Sequence, residues 1–171
     1  MIAPGLRVLF CGINPGLYSA AVGHNFARPG NRFWPALFAS GFTDRLLRPF
    51  EERELLKRRC GITNIVERAT ASASELSESE LREGAKRLSA RVLRYRPFCL
   101  AVVGISAYRI AFDRRKADLG MQMERIGESK IWVLPNPSGL NAHYQLPQLT
   151  AQFRALRQVS DETGRVTLTD I

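Results

Sequence analysis

Short, continuous apolar runs mark the chain at four places. Arg7-Val-Leu-Phe-Cys-Gly-Ile leads into Asn14-Pro-Gly, and Phe98-Cys-Leu-Ala-Val-Val-Gly and Lys130-Ile-Trp-Val-Leu-Pro repeat the pattern. Gly61-Ile-Thr-Asn-Ile-Val is a weaker fourth. Runs that are apolar on both faces predict strands buried between two layers, as in a parallel sheet. Helical patterns fall between them. Phe33 to Ser40 is apolar on most sides, and Pro35 confines a helix there to a start near Phe33. Glu51 to Arg59 is amphipathic. Ser77-Glu-Ser-Glu has the form of a capping box, after which Leu81, Leu88, Val92 and Leu93 recur at helical spacing up to Tyr95. Ser106 to Phe112 and Leu146 to Val159 complete the set. Strands alternating with helices predict an α/β fold, a single-domain three-layer sandwich with a central, mostly parallel sheet flanked by helices. The predicted domain is 1–160, and the polar tail 161–171 is expected to pack loosely.

Length agrees with one domain, since 171 residues leave little room for a second. A composition of 45% hydrophobic and 24% charged residues excludes wholesale disorder and collagen-like repeats. Lysine and arginine number 25 against 16 acidic residues, a net charge of +9. So basic a domain has a positive field, and a polyanion is the first partner to consider; a small anion, or no charged partner, stays open. Cys11, Cys60 and Cys99 are odd in number and lack metal-site spacing. They predict free, reduced thiols and a cytoplasmic setting. Two histidines and three scattered cysteines offer no metal-ligand cluster, and an iron–sulfur cluster would need a fourth thiolate. No metal or other cofactor is expected. The start has no basic leader before a long apolar stretch, and no run approaches the roughly 20 residues of a membrane span.

In open α/β sheets ligands bind beyond the carboxyl ends of the strands. Two predicted strands end there in unusual loops, Gly12-Ile-Asn-Pro-Gly-Leu-Tyr-Ser-Ala and Pro135-Asn-Pro-Ser-Gly-Leu-Asn-Ala-His-Tyr. Asn, Pro, Gly and Ser are ordinary turn formers, but two Asn-Pro loops at strand ends also suit a binding site.

These two loops resemble the signature motifs of the mismatch-specific (Mug) branch of the uracil-DNA glycosylase superfamily. Pro4-Gly-Leu-Arg-Val, Asn31-Arg-Phe-Trp, Gly41-Phe-Thr-Asp-Arg, Arg59-Cys-Gly-Ile-Thr and Ile131-Trp-Val-Leu-Pro also look like that branch, in order and at similar spacing. The resemblance covers Pro4 to about Arg157. It implies a monofunctional enzyme that flips uracil opposite guanine out of duplex DNA and hydrolyses the N-glycosidic bond, leaving an abasic site. Thymine and ethenocytosine are further candidate bases.

The resemblance also assigns roles. Asn14 matches the residue that places the attacking water; related enzymes carry Asp there, and an amide is no base near neutral pH, so slow turnover is implied. Asn136 stands where faster relatives carry His, and it has no cationic form with which to stabilise a departing uracil anion. Phe26 matches the aromatic that stacks on the flipped base. Ile13 and its neighbouring amides, with Gly16, Tyr18 and Ser19, complete the implied base pocket. Leu140 matches the wedge that fills the hole in the duplex. Ser138 is a phosphate donor, and Gly139, Asn141, Ala142 and His143 belong to the same insertion loop. Arg28, Arg32 and Lys130 lie near motif loops in the sequence and are candidate phosphate contacts. Lys57-Arg-Arg, Arg91 to Arg96 and Arg114-Arg-Lys read as solvated faces. The chain departs from the branch at Ala142, where an arginine is frequent, at Tyr18, where a small residue is frequent, and at Asn64, where a basic residue occurs. The implied partner is duplex DNA, bound by a monomer and without a membrane. Two alternatives stay open: a slow or inactive module that binds mismatched or abasic DNA, and an enzyme of free nucleosides, against which the Leu140 wedge and the charge both argue.

Overall fold

The computed structural model describes residues 1–166. Strands β1 (Val8–Gly12), β2 (Cys60–Asn64), β3 (Cys99–Val103), β4 (Gly120–Ile126) and β5 (Ser129–Leu134) form one sheet in the order β2-β1-β3-β5-β4. All neighbours pair in parallel except β4, which runs antiparallel to β5 at the edge. The helices are α1 (Leu17–Val22), α2 (Phe33–Ala39), α3 (Glu54–Lys57), α4 (Glu78–Tyr95), α5 (Ile105–Ala111) and α6 (Leu146–Val166). The predicted three-layer sandwich is the observed one.

The period-two alternation of each strand divides the core. Val8 and Phe10 of β1, Ala101 and Val103 of β3, and Trp132 and Leu134 of β5 face one layer, where they meet Phe33 and Leu37 of α2 and Leu149, Phe153 and Leu156 of α6. Leu9, Cys11, Leu100, Val102, Ile131 and Val133 face the other, built by Leu81, Leu88 and Val92 of α4 and Ala107 and Tyr108 of α5. The cysteines are part of this packing. All three are buried, and burial pushes the Cys99 thiol up to about 12 and the Cys11 and Cys60 thiols upward as well.

The capping box of α4 forms as its sequence predicts. Glu80 N donates to Ser77 Oγ at 3.2 Å, and Ser77 N donates to the Glu80 carboxylate at 2.9 Å. Arg96 ends the helix in the left-handed region, its N–H on Val92 O. Helix α2 begins at Phe33, with Phe33 N donating to Asn31 Oδ1 at 2.9 Å; Pro35 falls within its first turn.

Three features depart from the sequence reading. The α1 helix forms where the composition reads as loop. Edge strand β4 forms where no strand is expected. Helix α6 runs on to Val166, seven residues beyond Val159, with Asp161 ion-paired to Arg7 and Arg157. The expected loose tail therefore begins as helix, and its positions 167–171 lie outside the described residues.

The chain passes from β1 to β2 on one side and later to β3 on the other. Sheet order reverses at β1, so the loop leaving its carboxyl end opens into the crevice where such sheets bind ligands.

Candidate active site

The loop after β1 lines a cleft of about 360 Å³, shared with segment 23–31, the end of β2, residues 70–73 and the loop after β5. Asn14, Gly16, Phe26, Asn64 and Asn136 all border it.

Asn14 is held by its amide nitrogen. Nδ2 donates to Arg68 O at 2.8 Å and to Thr70 Oγ1 at 2.7 Å. Both donors of the amide are thereby used, and Oδ1 is left to accept a hydrogen bond from something in the cleft. Thr70, 3% exposed, binds the same loop through its main chain too, with Thr70 N on Pro15 O and Leu17 N on Thr70 O. The segment carrying these acceptors is tied to α4: Arg68 makes a two-pronged bond to Glu80, at 2.8 and 3.1 Å, and donates to Glu75 O. The Arg68 guanidinium and the Ser77 N–H together hold the Glu80 carboxyl down at about 2.

Phe26 has φ +52°, in the left-handed region that few aromatic residues adopt. Its ring stacks on Phe33, with centroids 4.0 Å apart and planes at 19°. Phe33 is itself fully buried and edge-on to Phe10 and Trp34. The cleft wall at Phe26 thus has an aromatic backing, a suitable platform for a planar base. Gly12 is required beneath it, because a Cβ there would lie 2.5 Å from Asn64 Oδ1 and 3.2 Å from the Phe26 ring.

Asn136 Oδ1 accepts from Ser138 N at 2.9 Å, and Asn136 O accepts from Asn141 Nδ2 at 2.9 Å. Its own Nδ2 is left as a donor at the cleft. Beyond it, the guanidinium of Arg32 donates to the carbonyls of Ser138, Asn141 and Tyr144 at 3.1–3.2 Å and of Gly139 at 3.4 Å. Arg32 N also bonds Pro137 O. One arginine therefore shapes the whole loop, and Leu140 at its tip stands 76% exposed. Gly139 sits too close to Gly30 O, 2.7 Å from a would-be Cβ, to carry a side chain. A second cleft, of about 570 Å³, adjoins the first along Ile13, Arg28, Asn136 and Ser138 and reaches Leu140, Asn141 and His143.

The sequence-predicted residues divide as follows. Ile13, Asn14, Gly16, Ser19, Phe26, Arg28, Asn136 and Ser138 border the main cleft. Ser19 also has a structural duty, its Oγ accepting from Ala27 N at 3.0 Å, and Ser138 Oγ accepts from Leu140 N. Leu140, Asn141 and His143 line the second cleft; Gly139 and Ala142 are exposed in the same loop. Tyr18 is not brought to the base pocket. Helix α1 turns Ser19 and Ala20 to the cleft and leaves Tyr18 49% exposed outside its lining. Lys130 borders neither cleft. It opens β5 opposite Cys99, at the amino ends of the parallel strands, with its ammonium 4.8 Å from the Phe98 ring centroid. Arg32 is turned inward onto carbonyls and is no free phosphate contact. Two residues the sequence reading gave no such role, Asn64 at the cleft and Thr70 behind Asn14, are found only once the end of β2 lies beside β1.

Fold and site together define a class: a doubly wound α/β domain with an aromatic-floored, amide-lined cleft next to a loop that thrusts a bare leucine into solvent. The family model of the Uracil DNA glycosylase superfamily matches residues 1–159, and the chain belongs to that superfamily, whose members are in general DNA glycosylases acting on DNA.

Proposed function

We propose that the protein is a monofunctional uracil-DNA glycosylase of the mismatch-specific branch, acting on uracil opposite guanine in duplex DNA. The observation that carries this reading is the fixed amide of Asn14, with its oxygen free at a cleft walled by Phe26.

A base in a duplex has to leave the stack to reach that cleft, and a mismatched base loses less pairing in doing so. The extruded uracil lies against Phe26. Water accepted on Asn14 Oδ1 presents its oxygen to C1′. As the C1′–N1 bond breaks, its electron pair stays on uracil and spreads to O2 and O4, while the sugar becomes oxocarbenium-like. Water oxygen bonds to C1′, its proton passes to solvent or to the departing uracil, and the products are free uracil and an abasic site. Asn136 Nδ2 supplies a neutral donor to the developing anion. With an amide at both positions the enzyme has no strong base and no cation at the reacting centre, so slow turnover is the expected outcome. At Gly16 a Cβ would meet nothing within 4 Å, so this wall has room for a substituted base such as thymine or ethenocytosine.

The test is incubation with labelled G:U, G:T, A:U and single-stranded uracil oligonucleotides, followed by alkaline cleavage at abasic sites. The expected order places G:U first. Tight binding of G:U duplex with no strand cleavage under single-turnover conditions would instead favour a mismatch-binding module.

A further inference from the structure

Glu52 is a carboxylate that the chemistry above does not use. Its side chain is only 14% exposed, and His24 lies beside it with Nδ1 3.6 Å from Oε1. Its Oε2 accepts two hydrogen bonds from the same residue, Asn25 N and Asn25 Nδ2, both at 3.0 Å. Asn25 Oδ1 in turn accepts from Asn64 Nδ2 at 3.3 Å, and Asn64 borders the cleft. Trp34 Nε1 fixes the Asn25 main chain by donating to its carbonyl at 3.2 Å.

We propose that Glu52 is a specificity-determining residue that acts through Asn25 to set which way round the Asn64 amide faces the base; this rests on the glycosylase reading above. The two ends of an asparagine amide have nearly the same shape and opposite hydrogen-bonding sense, so packing alone selects neither. An ionised carboxylate is acceptor-only. By taking the Asn25 amide nitrogen it turns Asn25 Oδ1 outward, and that oxygen can be matched only by the nitrogen of Asn64. Asn64 is left with Oδ1 as an acceptor beside its second Nδ2 hydrogen as a donor. Uracil and thymine present N3–H next to O4, a donor beside an acceptor, which complements this pair. Cytosine presents N3 next to an N4 amino group, the reverse, and would need the amide flipped. Flipping Asn64 would set its oxygen against Asn25 Oδ1, leaving two acceptors facing each other.

The experiment separates base selection from catalysis by using duplexes that are not cleaved. Affinity is measured for 2′-fluoro-2′-deoxyuridine and 2′-fluoro-2′-deoxycytidine, each opposite a tetrahydrofuran spacer so that neither base is paired. Wild type is expected to prefer the uracil duplex by about tenfold or more, the scale of a well-placed pair of base-edge hydrogen bonds. E52A and N25A should bring the ratio to within about threefold of unity, whereas E52Q, which still offers an oxygen to Asn25, should keep it. Thermal unfolding checks that each variant is folded, and N25A carries the test if E52A is not. Equal affinities in wild type, an unchanged ratio in the truncations, or an E52Q ratio fallen as far as that of E52A would overturn the relay. Failure of wild type to cleave a G:U duplex would count against the glycosylase reading and leaves these binding ratios readable.

Discussion

Asn14 Nδ2 donates to Thr70 Oγ1 at 2.7 Å across 56 residues of chain. The bond links the loop after β1 to the segment that runs from β2 to α4, and it leaves Asn14 one orientation in which both amide hydrogens are used. Thr70→Val keeps the buried shape and removes the acceptor. Asn14 would then hold only Arg68 O, and the chemical step should slow by about tenfold, the worth of one hydrogen bond. Asn14→Ala should slow it by about 10² or more. Affinity for an uncleaved 2′-fluoro G:U duplex should change little in either variant, because water placement matters in the transition state. Single-turnover rates beside equilibrium binding check this; a T70V rate equal to wild type would remove Thr70 from the positioning role.

The parallel strands and α4 are legible in the sequence because local and tertiary preferences agree there: unbroken apolar runs for β1 and β3, and a capping box followed by a helical stripe for α4. Strand β4 is not legible. Along Gly120–Ile126 alternate residues are exposed, but Met121, Met123 and Arg125 lie on the open side while Gln122 and Glu124 are partly covered. Its two methionines point away from the protein, Met123 being 98% exposed, so the usual strand signal is inverted. Helix α1 is hidden for a different reason. Its flanks, Asn14-Pro-Gly and Gly23, carry turn chemistry, and the six residues between them are too few to show a helical period.

The link from Arg68 to the α4 cap also predicts a pH dependence. Glu80 is held at about 2 against an ordinary value of 4.5, chiefly by the Arg68 guanidinium and the Ser77 N–H. A folded-state value below the unfolded one means that the stabilisation is fully present above about 4.5 and is lost as pH falls toward 2. The stability difference between wild type and Glu80→Gln should therefore be constant from pH 7 to 5 and shrink below it. Denaturant midpoints across that range measure it, and a difference that persists unchanged at pH 2.5 would show that the charge of Glu80 contributes nothing.

The site is legible where it consists of loop residues next to strand ends, as with Asn14, Asn136 and Leu140. It is not legible where a role depends on distance along an element. Lys130 lies five residues before Pro135, but each strand residue advances about 3.3 Å, so the two sit at opposite ends of the sheet. Arg32 reads as a phosphate contact along the chain, yet folding sets it beneath the carbonyls of 138–144. Arg28 remains, exposed at both clefts and without an ion-pair partner among the described residues. Arg28→Glu should lower the slope of log affinity against log salt by about 0.9, the increment for one phosphate no longer neutralised, and Lys130→Glu should leave that slope close to wild type. Binding titrations at several salt concentrations decide between the two positions, and a larger effect at Lys130 would contradict the proposal that DNA binds on the side of the clefts.

Leu140 offers the sharpest separation of a DNA enzyme from one acting on free nucleosides. An apolar side chain left 76% exposed at a loop tip gains nothing in the free protein, so Leu140→Ala should leave the unfolding midpoint nearly unchanged. If the side chain enters the duplex, truncation removes apolar contact worth about 1–3 kcal/mol from the flipped state. Where no stack has to be filled, the defect should largely vanish. Leu140→Ala should therefore slow cleavage of uracil in duplex DNA far more than in a single strand, with a larger defect for A:U, which is harder to open, than for a weakly paired mismatch. Arg32→Ala, which frees the carbonyls that shape this loop, should show the same duplex-selective defect together with a lower unfolding midpoint. Single-turnover rates on matched duplex and single-stranded oligonucleotides measure the effect. Equal fractional decreases on both would mean that the leucine does not enter DNA and that the loop serves the cleft alone.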